Sequence, residues 1–335
     1  MWTEASHPRN RGAALLAVLW LTAALSAIAF SVATTVRGEI ERTATDVEGL
    51  QSDYLAAGGV ERTICYMLWG AQARNPDGSS RYWSQGVPRL YHQFPEGDVI
   101  AEVIPAAARL NVNLASEEEL VRLLLAIGAE PARAQIIAAA VIDWRRPLPR
   151  SALSPFDQRY LAGFPSFRAR HASFQQVEEL LLVEGMTPDL FYGTYVRDAQ
   201  GRLVRRSGLR DCVSVYGNNA AFDINTADPA LLRALGLPPP AVEEIVATRR
   251  LRPLTVDDVN RFRRYAGPAG ARLAVGGGSI YTIRATARLR RQDGTLSDLR
   301  RSVAALVKFF GPGLQPPYQV LRWYDRAAAP ELNWP

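Results

Sequence analysis

The 335-residue chain has one lysine, Lys308, although Lys and Arg together number 39. It has two cysteines and three histidines. No glycine-rich phosphate loop, closely spaced cysteine pair or H-E-x-x-H stretch occurs, so no local motif for nucleotide or zinc chemistry is present. His7, His92 and His171 have no metal-like or triad-like partner at short spacing, and no catalytic residue is assigned. Cys65 and Cys212 lie far apart. They read either as a disulfide in an oxidising compartment or as two buried thiols. The net charge of +6 and pI near 9.5 permit contact with nucleic acid or anionic lipid without requiring it.

Charge is also missing from Ala13 to Val36. As a helix that run spans roughly 36 Å, enough for the ~30 Å hydrocarbon core. Ala27-Ile28-Ala29 has the small-x-small form of a signal-peptide cleavage site. Phe30, Val32 and Val36 carry the apolar stretch past it, which favours a retained anchor. Arg9 and Arg11 precede the run and Arg37 follows it. By that margin the N-terminus is cytoplasmic and the body lies outside the inner membrane.

Beyond Val36 the apolar residues Ile40, Val47, Leu50, Tyr54, Ala57, Ile64 and Leu68 recur at helical spacings, with charges mostly between them. The expectation is one nearly continuous helix to about residue 70, with this stripe facing the protein's own sheet. Gly58-Gly59 is the place for a bend.

A basic leader ending in glycine, an apolar half-helix and an amphipathic half-helix together resemble the type IV pilin-like proteins. The resemblance implies cleavage between Gly12 and Ala13 by a prepilin peptidase. Most members carry glutamate at the fifth mature position; here it is Ala17.

The body holds a repeat. ARLNVNLASEEELVRLLLAIGAEPARAQIIAAAVIDWRRP aligns with AAFDINTADPALLRALGLPPPAVEEIVATRRLRPLTVDDVNRF, Asn113 on Asn225. Each copy has N-x-A, a leucine-rich helix, a glycine (Gly128, Gly236), a proline-containing turn and a second helix ending in arginine. Ser116 with Glu119 predicts a capping box, and Asp228-Pro229 an N-cap with proline at the first helical position. A third, partial copy is read in SFQQVEELLLVEGMTPDLFYGTYV.

These units resemble helix-hairpin-helix modules, many of which bind DNA through turn N–H groups. Glu130 places a carboxylate where phosphate would sit, and Pro238, Pro239 and Pro240 have no N–H to donate. No nucleic acid is expected. The alternative function kept open is a membrane-anchored helix-hairpin-helix DNA receptor of a competence system.

Strands are predicted in DVIAEVI, SIYTIRATARLRRQ, DLRRSVAALVKFF and YQVLRWYDR, with a turn at Asp293-Gly294. Val275–Gly278 is read as a linker or turn. Trp144, Trp323 and Trp334 are read as packing or interface residues.

The order RGAALLAVLWL, LNVNLA, ELLLVEGMTPDLF, VYG, DINTAD, YQVLRW resembles the minor pseudopilin K family of bacterial type II secretion systems over almost the whole chain. The resemblance implies an α+β, type IV pilin-like fold with a large all-α insertion and SAM-like units. It implies segments 1–12 (leader), 13–36 (membrane half-helix), 37–70 (amphipathic half), 71–105 (first part of the body), 106–216 (first SAM-like insertion), 217–275 (second SAM-like unit) and 276–335 (C-terminal strands). The implied role is a non-catalytic tip subunit, single-pass in the inner membrane with a periplasmic body. Its implied partners are minor pseudopilins I and J, other pseudopilins, the prepilin peptidase and membrane lipid. Ala17 is then the position that defines a leading subunit, which has no neighbour ahead for a carboxylate to neutralise. Calcium binding is known in the family, but Arg145, Arg146 and Arg150 fill the interval between Asp143 and Asp157. Calcium wants about six or more oxygen ligands, so no metal residue is carried over.

Overall fold

The computed structural model describes residues 11–70, 73–198, 200–311 and 313–327. The leader up to residue 10, with His7 and Arg9, and Trp334 lie outside them.

Helix α1 runs from Arg11 to Gly70 without a break. No proline interrupts those residues, so nothing removes an N–H from the ladder. Strand β1 (Arg89–Phe94) turns into β2 (Gly97–Pro105). The chain then enters a helical block and returns as β9 (Ile280–Leu289), β10 (Arg301–Phe309) and β11 (Tyr318–Tyr324). The sheet order is β1-β2-β9-β10-β11, and every pairing is antiparallel. β2 and β9 are neighbours although the whole helical block separates them in sequence. The fold is therefore a long helix on a small antiparallel sheet, with an all-α insertion between two adjacent strands.

The insertion contains β3 (Leu110–Asn111), α2 (Glu117–Ala126), α3 (Pro131–Arg145), α4 (Pro155–Ala162), α5 (Pro188–Tyr192), β4 (Thr194–Arg197), β5 (Leu203–Arg206), α6 (Leu209–Cys212) and β6 (Val213–Ser214). It continues with β7 (Phe222–Asp223), α7 (Pro229–Ala234), α8 (Pro239–Leu251), α9 (Val256–Arg263) and β8 (Leu273–Ala274). Two short parallel bridges, β3 with β6 and β7 with β8, tie the ends of two successive units together. The Ser116–Glu119 capping box forms, and the Asp228 carboxylate accepts from the Ala230 N–H at 2.8 Å. Ser173–Val196 is not a third helical hairpin: it folds as a 3-10 turn (Val177–Leu182), the five-residue α5 and the start of β4. The Val275–Gly278 stretch is more than a spacer, because the Gly276 N–H donates to buried Asp223 at 2.6 Å.

Two apolar cores result. One lies between α1 and the sheet, with Ala56, Val60 and Ile64 against Val99, Ala101, Ile283, Ala285 and Ala305. The other runs through both helical units and includes Trp144, Phe191, Phe222 and Phe262. Trp144 stacks on Phe174 at 5.7 Å, so it packs within the second core.

The upper end of the expected stripe, Ile64 and Leu68, meets the sheet, but its lower part does not. Gly49, Ser52, Ala56, Gly59, Val60, Thr63 and Met67 are buried, whereas Ile40, Val47, Leu50 and Tyr54 are exposed. The cause is close packing. A Cβ at Gly59 would lie 2.4 Å from Val99 Cγ1 and 3.3 Å from Ala285 Cβ, while one at Gly58 would meet nothing within 4 Å. Gly59 lets the helix axis approach the sheet, and α1 continues through both glycines.

Candidate functional site

The most apolar 18-residue window of α1 has a mean hydropathy of 2.2, and none of it is buried. Its threonine hydroxyls are satisfied within the helix: Thr22 donates to the Leu19 carbonyl, and Thr34 and Thr35 donate to that of Ser31, each at 2.9 Å. Such bonds remove the cost of carrying a polar side chain into hydrocarbon. This segment is an apolar helix consistent with a single-pass membrane anchor. Gly12 and Ala13 lie in its first turn and Ala17 is exposed on it; the side chains of residues 11–13 lie outside the described set.

The exposed stripe continues the same surface upward. Ile40 (63% exposed), Val47 (48%), Leu50 (57%) and Tyr54 (72%) recur at seven, three and four residues. That is the spacing of a helix-packing seam. Its upper end opens on a groove of about 600 Å³ lined by Tyr54, Gly58, Phe94 and Leu289. The opposite face of α1 is filled by the sheet, and among the described residues this seam stays exposed.

The repeat in the insertion has a structural meaning. Asn113 Oδ1 accepts from the Phe174 N–H at 2.7 Å and its Nδ2 donates to the Phe174 carbonyl at 2.9 Å. Asn225 does the same with Leu254, at 2.7 and 3.1 Å. The arginines late in the second helices also point inward. Arg145 donates to the carbonyls of Val112 and Ala115, and Arg249 to that of Ala227 at 2.6 Å. Ala115 and Ala227 are the alanines of the two N-x-A segments.

The turns are closed to phosphate. Glu130 accepts from the N–H groups of Ala132 and Arg133 at 3.0 Å each, so its own carboxylate occupies the start of α3. A Cβ at Gly128 would lie 2.6 Å from the Arg206 guanidinium; that side chain covers the turn. In the second unit Pro238 precedes α8, which begins at Pro239.

The loop after Trp144 is built on cations of the protein. The buried Asp157 accepts from Ser154 N–H at 3.1 Å, Ala169 N–H at 3.2 Å and His171 Nε2 at 2.8 Å, with Arg168 Nε at 3.5 Å. Burial pushes the Asp157 carboxyl up, but the bonds from His171, Ser154 and Ala169 outweigh it and hold its pKa below the ordinary value. Asp143 accepts from Ser154 Oγ at 2.7 Å and faces Arg146 at 3.4 Å. His171 Nδ1 lies 3.2 Å from the carbonyls of Asp143 and Arg146. Its backbone adopts φ +49, which is uncommon for a residue with a Cβ. These groups do not fit calcium: the two carboxylates already face Arg146, Arg168 and His171, and hard cations need oxygen ligands. Among the described residues no group of three or more His, Cys, Asp or Glu side chains is placed to hold a metal.

His92 sits in the other core, its Nε2 2.9 Å from Thr63 Oγ1. Burial, with Arg62 adding repulsion, lowers its pKa to about 4, so it is neutral at pH 7. Cys65 and Cys212 are both free thiols, and burial raises the pKa of Cys212.

Residues 103–193 match the family model for type II secretion system (T2SS), protein K. The type II secretion system protein K of Klebsiella pneumoniae is 28% identical over 202 residues, which cover 55% of this chain and 60% of that protein. That of Pectobacterium carotovorum subsp. carotovorum is 29% identical over 205 residues, with the same two shares. The match thus spans 60% of these relatives' length. A chain in the crystal structure of the GspK–GspI–GspJ complex from the enterotoxigenic Escherichia coli type 2 secretion system superposes with a TM-score of 0.52 at 17% identity, over 86% of this chain and all of that one. This last likeness is one of fold. Over its matched domain and against these relatives the chain is similar to type II secretion system protein K, and its pilin-like fold with an insertion is like that of the E. coli chain.

Proposed function

We propose that this chain is a non-catalytic minor pseudopilin at the tip of the type II secretion pseudopilus. There it initiates or caps assembly for export of folded proteins across the outer membrane. The observation that carries the reading is the exposed seam Ile40–Val47–Leu50–Tyr54. It continues an apolar anchor on a helix whose other face is occupied by its own sheet. A helix with such a seam is half of a helix–helix interface.

The E. coli relative was crystallised with GspI and GspJ. The corresponding minor pseudopilins I and J are the partners proposed here, followed by other pseudopilins further down the filament. In this reading the prepilin peptidase cuts between Gly12 and Ala13, the N-terminus faces the cytoplasm and the body is periplasmic. The insertion is a packing domain without a metal or a nucleic-acid ligand.

A photo-crosslinking residue at Leu50 should capture I or J in cells expressing all three, and Leu50→Asp should abolish their co-purification. Mass spectrometry should find Ala13 as the mature N-terminus. Another N-terminus, or no capture at Leu50, overturns the reading. Tight duplex-DNA binding that falls steeply with salt would replace it with the receptor alternative.

A further inference from the structure

In the first helical unit, β4 and β5 form a two-stranded hairpin that, among the described residues, pairs with no third strand. Thr194 faces Arg206, Tyr195 faces Arg205, Val196 faces Val204 and Arg197 faces Leu203. One side of the ribbon therefore carries Tyr195, Arg197, Leu203 and Arg205; the other carries Thr194, Val196, Val204 and Arg206. Tyr195 is 67% and Leu203 65% exposed, and Val196 and Val204 are exposed as well. A two-stranded ribbon with apolar side chains bare on both faces is marginal in water by itself. It gains most from another strand on a free edge.

The charge around the ribbon states what that strand is. Arg197, Arg202, Arg205, Arg206 and Arg210 cluster here. Asp198 pairs with Arg202 at 2.9 Å and Asp211 with Arg205 at 2.7 Å. Among the described residues no carboxylate pairs with Arg197, which donates to the Gly201 carbonyl, or with Arg206, which lies over Gly128. The hairpin thus offers unpaired backbone edges, apolar side chains and surplus positive charge together.

We propose that the β4–β5 hairpin is a docking site for an extended acidic segment of a partner protein, added as a third strand. Main-chain bonds along the free edge of β4 supply affinity, a carboxylate beside Arg197 sets orientation, and Arg206 on β5 adds positive charge at longer range. A lipid surface fits less well. The apolar residues point to both sides of the ribbon rather than to one plane, and Asp198 at its turn would have to enter the headgroup region. The proposal does not depend on the pseudopilin reading, because it rests on the hairpin alone.

The test uses the detergent-solubilised full chain and four probes. These are a short fluorescent peptide alternating glutamate and valine, its lysine–valine counterpart, the acidic peptide N-methylated at alternate residues, and phosphatidylglycerol vesicles. The acidic peptide should bind, slow amide exchange within residues 194–206, and bind about tenfold more weakly to Arg197→Glu/Arg206→Glu. N-methylation should weaken it comparably, since it removes the edge hydrogen bonds and keeps the charges. Arg197→Gln/Arg206→Gln, a milder change, should fall between wild type and the reversal. Any of four results overturns the proposal: no binding, equal binding of the basic peptide, no loss on N-methylation, or binding to vesicles in place of the peptide.

Discussion

The side-chain amide of Asn225 and the backbone of Leu254 exchange two hydrogen bonds, one in each direction, at 2.7 and 3.1 Å. Asn113 and Phe174 repeat the arrangement in the other helical unit. In both places one amide satisfies the N–H and the C=O of a residue arriving from a distant part of the chain. Asn225→Ala leaves both groups of Leu254 buried and unpaired, at about 1–3 kcal/mol for each. The expected loss is about 2–4 kcal/mol in the second unit, read as a lowered denaturation midpoint. Asn225→Asp should recover only part, because it keeps the acceptor for the Leu254 N–H but turns a carboxylate oxygen toward the Leu254 carbonyl.

Gly58 and Gly59 should respond in opposite directions to alanine. At Gly59 the new methyl would fall 2.4 Å from Val99 Cγ1, forcing α1 off the sheet. A loss of about 1–3 kcal/mol is expected despite alanine's better helix propensity. At Gly58 there is open space, so Gly58→Ala should be neutral or stabilising by up to ~1 kcal/mol. Thermal denaturation of the two single variants decides this. Equal effects would mean that Gly59 is not a packing contact.

That pair also shows where sequence reading reached and where it stopped. The length and continuity of α1 were legible from its uncharged run and its lack of proline. The face it turns to the sheet was legible only at Ile64 and Leu68. Hydrophobic periodicity picks out large residues such as Leu50 and Tyr54, whereas a closely packed helix–sheet contact selects Gly49, Ser52, Ala56 and Gly59 for their smallness. The strands β2, β9, β10 and β11 were legible from alternation. The edge strand β1 was missed because RLYHQF mixes polar and apolar residues on a half-exposed rim. The same held for His171. Its partner Asp157 is fourteen residues away and its carbonyl contacts on Asp143 and Arg146 further still, so short spacing gave no signal. The β4–β5 hairpin had one, two short alternating runs around D-A-Q-G, but the first of them began inside what was read as a third helical copy.

His92 gives the α1–sheet core a pH dependence of definite sign. Its pKa falls from an ordinary 6.5 to about 4 in the folded chain because burial penalises the imidazolium. On acidification the unfolded chain takes up the proton first. The stabilising contribution is therefore present above pH 6.5 and is lost as the pH falls toward 4. At ~1.4 kcal/mol per tenfold in proton affinity the loss is roughly 3 kcal/mol. His92→Gln keeps a partner for Thr63 and cannot charge, so its melting temperature should be flatter over that window than wild type's.

The loop after Trp144 should behave as a metal-independent structure. With Asp157 held by His171, Ser154 N–H, Ala169 N–H and Arg168, millimolar calcium or EDTA should leave the melting temperature unchanged. His171→Phe should lower the stability by about 2–4 kcal/mol, since it strands a buried carboxylate as well as losing the contacts to two carbonyls. Proteolysis between residues 146 and 170 should report that loosening. A calcium-dependent rise in the wild-type melting temperature would show that carboxylates here exchange their protein donors for a cation.

Ala17 carries the remaining prediction. It lies on the exposed surface of α1, within the run whose threonine hydroxyls are bonded to helix carbonyls. A carboxylate at that depth costs several kcal/mol unless a neighbouring cation meets it. In a filament of parallel helices that cation can be the α-amino group of the next subunit, and a leading subunit has none ahead. Ala17→Glu should therefore leave cleavage after Gly12 intact but reduce incorporation with I and J and lower secretion of cargo. Mass spectrometry of the mature chain separates a processing defect from an assembly defect. Normal assembly and secretion by Ala17→Glu would remove the tip explanation of this residue without touching the chain's similarity to protein K.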